Sequence, residues 1–233
     1  MNSERKDHIL RVVFEVVEKL KRQLEAGLDR QVLAFDLLPT DLDAIATSLG
    51  LKVKTEDEID GSTSLASETL GAIYRKRKEI QIAGGKKHTR QRFTLAHELG
   101  HYLLHNQLVS YREVLAPSEA GDRANRPAIE QEADFFAVEL LMPAQSVRRV
   151  FKQYFGGPIT GTAANDDIAF FLSQGPHRKF SASEIVRMGR HERARLFARI
   201  GTYAGIQFKP MCEVFDVSVE AMANRLEELG LVK

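Results

Sequence analysis

The sequence predicts an α+β fold that is mostly helical, with a small sheet confined to the first half and an all-α C-terminal part. Two observations support this class. Strand-like apolar runs occur at residues 51–54, 71–74 and 79–83, ahead of the strongest helical pattern in the chain. Helical periodicity with start and stop signals recurs through most of the remaining sequence.

The first residues are predicted to form an amphipathic helix. Ser3 can cap this helix, which is expected to end near Leu24, before Gly27. Its apolar residues share one face and are Ile9, Val12, Val13, Val16, Val17 and Leu20. Residues 1–37 are therefore interpreted as an N-terminal packing helix that precedes the first domain.

A short helix and the small sheet are predicted next, within a domain assigned to residues 38–155. Thr40 precedes the short helix as its cap, and Gly50 closes it. The following segments are the strand 51–54, a loop at 56–67, and a hairpin of 71–74 and 79–83 around the basic stretch 75–78. A sheet therefore precedes the helix with the strongest chemical signal.

That helix, predicted from residue 88 or 89 to about residue 106, contains His97, Glu98 and His101. Two histidines four residues apart lie ~40° apart around a helix axis and ~6 Å along it, so both imidazoles can reach one ion. Glu98 can then face an ion-bound water as a general base, which is the arrangement for zinc-assisted peptide hydrolysis. The competing interpretation is a pair of surface histidines beside a solvated glutamate.

A third ligand is expected on a second strong helix, predicted from about residue 128 to residue 142, because catalytic zinc usually has three protein ligands. Glu130 and Asp134 share one face of this helix, whereas Glu132 points ~200° away from Glu130. We therefore favour Glu130 as the ligand over Glu132, with Asp134 orienting a ligating histidine from behind. The alternative is that these carboxylates form the polar face of an amphipathic helix.

His105 continues the row of histidines but lies ~12 Å along the helix from His97, too far to share its ion. It is expected behind the ligands or in the cleft. Tyr102 and His105 are both candidates for stabilising the transition-state oxyanion, and the sequence does not choose between them. The third histidine of the metzincins would fall at Gln107, which excludes that class and leaves the glutamate-liganded one.

Composition sets broad limits on partners and location. Lys and Arg total 33 against 32 for Asp and Glu, so the whole chain favours neither a nucleic-acid nor a membrane partner. The single cysteine, Cys212, excludes an intramolecular disulfide, and zinc ligands must come from His, Asp or Glu. The polar N-terminus and the lack of an apolar run of ~20 residues predict a cytoplasmic protein.

The C-terminal part is predicted to begin after a linker at residues 156–165, which are rich in Gly, Thr, Ala and Pro. Residues 166–233 are interpreted as a helical domain whose tail, from Pro210 to Gly230, resembles a helix-turn-helix unit. The tail is mainly acidic, which is unfavourable for reading DNA. The segment before it carries Arg178, Lys179, Arg187, Arg190, Arg193, Arg195 and Arg199. A solvated helix face is favoured for that segment over phosphate contact.

The motif segments at residues 90–105, 130–137 and 140–143 resemble the ImmA/IrrE family of metallopeptidases, and the resemblance covers roughly residues 38–154. It implies a minimal zincin-like fold, an endopeptidase activity, Zn²⁺ as cofactor and Glu130 as the third ligand. It also implies a helix-turn-helix repressor as substrate, whose cleavage releases the repressed genes. The long first helix and the extended segment after residue 156 depart from the family pattern.

A second hypothesis treats the protein as a DNA-binding regulator with a structural or vestigial metal site. The helix-turn-helix-like tail and the arginine-rich segment motivate it. A structural zinc site would need four closed ligands and no general base, whereas the sequence offers three ligands together with Glu98. The peptidase hypothesis is therefore preferred.

Overall fold

The computed structural model describes residues 1–27, 38–55, 69–105, 112–114, 127–159, 165–174 and 180–233. The chain divides into two compact units, Met1–Leu141 and Met142–Lys233. Helices dominate both units and the main sheet lies in the first, which confirms the predicted α+β, mostly helical class. In these ranges no helix combines the length and apolar character that crossing a bilayer requires.

The first unit is built from helices around a small sheet. Its elements are α1 (Ser3–Gly27), α2 (Leu42–Ser48), β1 (Lys52–Thr55), β2 (Thr69–Tyr74), a 3-10 turn (Arg75–Arg77), β3 (Glu79–Ile82), α3 (His88–Leu104), β4 (Arg112–Val114) and α4 (Ala128–Leu141). Helix α1 extends a little beyond its predicted end near Leu24. It buries Ile9, Val13, Val16 and Leu20, four of the six residues assigned to its apolar face.

The sheet has the strand order β1-β3-β2-β4. Strands β2 and β3 pair antiparallel from Gly71 opposite Ile82 to Tyr74 opposite Glu79, which confirms the predicted hairpin. Strand β1 runs parallel to β3, and β4 pairs antiparallel with β2. A strand as short as β4 shows no alternation, so the sequence did not predict it. The loop predicted at 56–67 and most of residues 107–126 lie outside the described residues.

The cap of α2 differs from the prediction by one residue. Asp41, in extended conformation, accepts a hydrogen bond from the backbone N–H of Ala44 and is the N-cap. Thr40 is buried, and its hydroxyl donates instead to the carbonyl oxygen of Leu140 at 3.0 Å. Both residue types cap helices well, so only the tertiary position of Thr40 against α4 decided between them.

Helix α3 is enclosed along its central two turns, because every residue from Thr94 to His101 is buried. Two glycines allow the close packing. An ideal Cβ on Gly71 of β2 would lie 2.4 Å from Thr94 Cγ2 and 3.1 Å from Glu98 Oε1. One on Gly100 of α3 would lie 3.2 Å from Ala133 Cα of α4. At these two positions a side chain larger than the hydrogen atom of glycine would crowd its neighbours. The sheet and α4 can therefore pack closely against α3.

The second unit is mainly helical. Its elements are α5 (Ala144–Phe155), α6 (Asn165–Leu172), α7 (Ala182–Arg187), α8 (Arg190–Arg199), β5 (Thr202–Tyr203), β6 (Ile206–Gln207), α9 (Met211–Val214) and α10 (Val219–Glu228). Phe155 contacts Phe151, Phe197 and Tyr203 with ring centroids about 5 Å apart, forming an aromatic core. Helices α9 and α10 match the predicted helix-turn-helix-like tail.

The expectation of an all-α C-terminal part was wrong in one respect. Strands β5 and β6 form a hairpin in which Thr202 lies opposite Gln207 and Tyr203 opposite Ile206. Ala204 and Gly205 make the turn with φ of 52° and 74°. Two-residue strands are too short to show a period of two, so pattern analysis does not detect them.

The predicted boundary at residues 156–165 falls inside the second unit, since the division by contacts lies between Leu141 and Met142. Residues 160–164 of that linker lie outside the described residues, as do Arg178 and Lys179 of the basic segment. Gly156 ends α5 in the left-handed conformation with φ of 80°, as expected of a glycine after a helix.

Replacing Gly71 with alanine should destabilise the first unit, because the new methyl group would overlap Thr94 Cγ2 at 2.4 Å. Overpacking of this kind typically costs about 1–3 kcal/mol. Urea unfolding followed by circular dichroism measures the loss. Thr94→Ser removes the methyl group in question, so adding it to Gly71→Ala should restore much of the stability. If the double variant is no more stable than Gly71→Ala alone, this contact does not set the β2–α3 distance.

Candidate metal centre

Helices α3 and α4 bring together three of the side chains selected from the sequence. The Nε2 atoms of His97 and His101 lie 3.0 Å apart. Glu130 Oε2 lies 3.2 Å from Nε2 of His97, and Glu130 Oε1 lies 3.3 Å from Nε2 of His101. Within the described residues these three form the one group arranged to hold a metal ion. Gly100 and Ala133 permit this convergence, because they let the two helices approach closely.

The spacing of these atoms suits a tetrahedral ion. Zinc with ligands at 2.0–2.1 Å in tetrahedral geometry places its ligand atoms about 3.3 Å apart. The observed separations of 3.0 to 3.3 Å lie close to that value. Two imidazoles and one carboxylate are also a common donor set for catalytic zinc, with a further position open. The residues present therefore fit the ion that the sequence suggested.

Asp134 fixes the tautomer of His97. Its Oδ1 lies 3.0 Å from His97 Nδ1. A carboxylate only accepts hydrogen bonds, so Nδ1 carries the proton and Nε2 presents a lone pair to Glu130 and His101. This is the position behind a ligating histidine that the sequence assigned to Asp134.

His105 stands behind the other ligand. It follows the last residue of α3 in extended conformation, and its Nδ1 lies 3.1 Å from Nδ1 of His101. Its Nε2 lies 3.0 Å from Glu132 Oε2. Because the carboxylate must accept, Nε2 of His105 donates, and in a neutral His105 the Nδ1 accepts from Nδ1 of His101. Nε2 of His101 then also presents a lone pair to the site.

The position of Glu132 corrects the sequence argument, which pointed it away from the histidines. The structure places it on His105, and Arg5 of α1 donates to the same oxygen at 2.6 Å. The chain leaves the helical path at His105, so the imidazole no longer follows the row of α3 and comes within reach of Glu132. The hydrogen bond from Arg5 lowers the pKa of Glu132, which keeps it ionised.

The three converging groups are thus all acceptors. With these tautomers, two imidazole lone pairs and a carboxylate face one another across about 3 Å. Such an arrangement is repulsive in a buried site unless a cation occupies its centre. The tautomers imposed from behind by Asp134 and His105 therefore prepare the site for a positive charge.

The pKa values of the ligands indicate the charge that the site carries. Burial lowers the pKa of His101, Glu130 opposes that shift, and the neighbouring His97 adds to it. Burial by itself would raise the pKa of Glu130, but the contacts with His101 and His97 outweigh it and hold the pKa well below its usual value. At neutral pH the site therefore contains a neutral imidazole at His101 and an ionised carboxylate.

Glu98, the predicted general base, is fully buried on α3, and its Oε1 lies toward Gly71 of β2. Its side chain thus occupies the sheet side of the helix, while Gly100 faces α4. Thr94 lies on the same side, so both side chains face strand β2 at Gly71.

Arg75, which was not predicted to be a site residue, supports the end of α3 next to the site. Its Nη2 donates to the carbonyl oxygens of His101 at 2.6 Å and Tyr102 at 2.9 Å, and also to that of His105. These are carbonyl groups at the end of α3, where a positive charge is favourable. The sequence analysis placed Arg75 in the basic stretch between the two hairpin strands, and no local pattern distinguishes it from its neighbours.

A helix with the HExxH pattern, paired with a second helix that supplies a glutamate, defines the class of zincin-type metallopeptidase domains. The family model described as Peptidase_M78, IrrE N-terminal-like domain, matches residues 46–157, so this segment belongs to that metallopeptidase family. The resemblance to the ImmA/IrrE family is thereby confirmed. No individual curated protein matches the chain.

Replacing Glu130 with glutamine should weaken zinc binding by more than ~100-fold, beyond the range typical of residues that only support a ligand. The amide keeps the shape but loses the charge that balances the cation. Competition titration of the metal-free protein with a chromophoric chelator gives the dissociation constant. Glu132→Gln is the matched variant and should cause a smaller loss of zinc affinity, because Glu132 contacts His105 and is not a proposed ligand. A larger loss for Glu132→Gln would reverse the ligand assignment.

The metal-free protein should lose stability as pH falls below about 6.5, the ordinary pKa of histidine in an unfolded chain. There the unfolded state protonates His101, whereas the lowered pKa keeps it neutral in the folded state, so the unfolded state binds more protons. Thermal unfolding in excess chelator at pH 7.5, 6.5 and 5.5 measures the change. The His101→Gln variant lacks this proton uptake and should lose less stability over the same range. Equal slopes for both proteins would contradict the assignment.

Proposed function

We propose that this chain is a zinc-dependent endopeptidase of the cytoplasm that cleaves a helix-turn-helix transcriptional repressor and so derepresses its genes. The observation that carries the peptidase part is the convergence of His97, His101 and Glu130, each an acceptor, next in sequence to the buried carboxylate of Glu98. Membership of residues 46–157 in a metallopeptidase family supports the same chemistry.

Zinc is the proposed ion because of the donor set. Two neutral imidazoles with one carboxylate suit zinc, whereas calcium and magnesium prefer sites made of oxygen atoms alone. The tetrahedral spacing of the donors supports this choice. His97, His101 and Glu130 would hold the ion, and a fourth position would remain for water or the scissile carbonyl.

Several residues of the chain have separate roles in hydrolysis. Bound zinc supplies Lewis acidity toward water and toward the carbonyl group of the scissile peptide bond. Glu98 accepts the proton of the attacking water at its carboxylate and delivers it to the leaving amine nitrogen. Asp134 and His105 keep the Nε2 lone pairs of the two ligating imidazoles directed into the site. No covalent bond forms between the protein and the substrate.

The repressor is proposed as substrate on the strength of the ImmA/IrrE resemblance. Members of that family act on helix-turn-helix repressors, often encoded alongside them. The absence of disulfide chemistry in a chain with one cysteine agrees with a reducing compartment, where such repressors function.

The regulator hypothesis receives less support from the second unit. Glu227 of α10 binds Arg190 at 3.0 Å and His191 at 2.6 Å, and Glu220 binds His191 and Arg195. Basic groups of α8 are therefore engaged by the acidic residues of the helix that would have to enter a DNA groove. The one arginine of α10, Arg225, is buried. We therefore propose that the tail serves the peptidase, and not as an independent reader of DNA.

Replacing Glu98 with glutamine should abolish repressor cleavage and leave zinc content close to that of the wild type. The amide cannot accept the proton of the attacking water, while both imidazoles and Glu130 remain. General bases typically contribute about 10² to 10⁴ in rate, which a gel assay with a repressor encoded next to this protein resolves.

The control is Glu15→Gln, the same substitution at an exposed position of α1, which should cleave at the wild-type rate. Undiminished cleavage by Glu98→Gln would overturn the mechanism even with zinc present. Wild-type protein that binds no zinc would overturn the proposed function itself.

A further inference from the structure

A chain of hydrogen bonds connects the N-terminal helix to the metal centre. Arg5 of α1 donates to Glu132 of α4 at 2.6 Å. The same oxygen of Glu132 lies 3.0 Å from Nε2 of His105, and Nδ1 of His105 lies 3.1 Å from Nδ1 of His101. Three helices of the first unit thus contribute to one continuous path that ends on a ligand.

The direction of the two bonds to Glu132 follows from the charge of its carboxylate. Arginine only donates and an ionised carboxylate only accepts, so Glu132 must receive hydrogen bonds from both Arg5 and His105. A neutral His105 that donates from Nε2 has a lone pair at Nδ1, and that lone pair accepts a hydrogen bond from Nδ1 of His101. With a neutral His105, this arrangement satisfies the whole path, and it leaves the lone pair of His101 Nε2 directed at Glu130 and His97.

The two ligating histidines are therefore supported differently. His97 is held by one carboxylate, that of Asp134, on the same helix that supplies Glu130. His101 is held through two intermediate residues, and the outermost support comes from α1. The path passes from the buried His101, 1% exposed, through Glu132 at 14% to Arg5 at 33%. Its outer end is within reach of solvent, while its inner end is the ligand.

We propose that Arg5 and Glu132 are positioning residues for the metal ligand His101, and that α1 is thereby a working part of the metal centre. This inference rests on the proposed zinc site. It extends that site beyond residues 46–157, the segment that matches the peptidase family, because Arg5 lies well before it. Neither Arg5 nor Glu132 belongs to the group of three proposed ligands, and both act by fixing the ring orientation of His105.

A purely structural role for the Arg5–Glu132 pair predicts a different outcome. An ion pair at a partly exposed position contributes little to stability, and α1 is anchored independently by Ile9, Val13, Val16 and Leu20. Loss of Arg5 should therefore leave the fold intact. In a positioning role, the effect falls on the affinity for the ion and on the geometry around it, since residues behind ligands typically account for about 10–100-fold in metal affinity.

The test is titration of the full-length metal-free protein with Zn²⁺ and with Co²⁺, whose visible absorption reports the ligand geometry. Glu132→Gln is expected to weaken Zn²⁺ binding about tenfold, the lower end of that range, and Arg5→Met between about twofold and tenfold. Both should change the Co²⁺ absorption spectrum. Arg5→Lys keeps the charge and a donor and should restore most of the affinity. Arg11→Met removes a charge from an exposed position of the same helix and should match the wild type.

The double variant Arg5→Met/Glu132→Gln separates the two explanations. If Arg5 acts through Glu132, the double variant binds Zn²⁺ no more weakly than Glu132→Gln alone. Additive losses, or Arg5→Met binding Zn²⁺ and giving a Co²⁺ spectrum as the wild type does, would overturn the inference. Failure of the wild type to bind either ion would instead overturn the proposed function, so the two failures are distinct.

Discussion

Three electron-pair donors meet in a buried space between α3 and α4, and the packing of the first unit holds them there. Two Nε2 atoms and a carboxylate at separations of 3.0 to 3.3 Å repel one another unless a cation lies among them. The fold holds the donors in place by other means. Gly100 and Ala133 let the helices approach, Thr40 ties its hydroxyl to the end of α4, and Arg75 binds the carbonyl groups at the end of α3.

The orientation of the donors matters as much as their distance. An imidazole can bind a metal through either nitrogen, and the hydrogen bond on the other nitrogen decides which. Asp134 makes that choice for His97 from one side. His105, fixed in turn by Glu132 and Arg5, makes it for His101 from the other side. The supporting residues come from α1, α3 and α4, so the metal centre depends on the packing of all three helices.

In the second unit, the sequence alone does not show which partners the charged residues have. Arginines before the tail form a basic segment in sequence, and acidic residues make the tail itself a poor DNA reader. In the structure, Glu220 and Glu227 of α10 bind Arg190, His191 and Arg195 of α8. Part of the basic segment and part of the acidic tail therefore pair with each other within the second unit. Arg225, also on α10, is buried and donates to the carbonyl oxygen of Met142.

The sequence by itself determined the elements whose signals are local. The HExxH spacing on a helix, the shared face of Glu130 and Asp134, the hairpin around residues 75–78 and the helix-turn-helix-like tail all depend on periods and caps within one segment. Strands as short as β4 and β5 were not predicted, because two or three residues are too few to show a period. The tertiary structure alone decided that Asp41 and not Thr40 caps α2, and that Arg75 donates to the carbonyl groups at the end of α3. It also decided that Arg5 and Glu132 support His105. Each of these choices is made by a partner distant in sequence, and helical geometry within one segment contains no information about such partners.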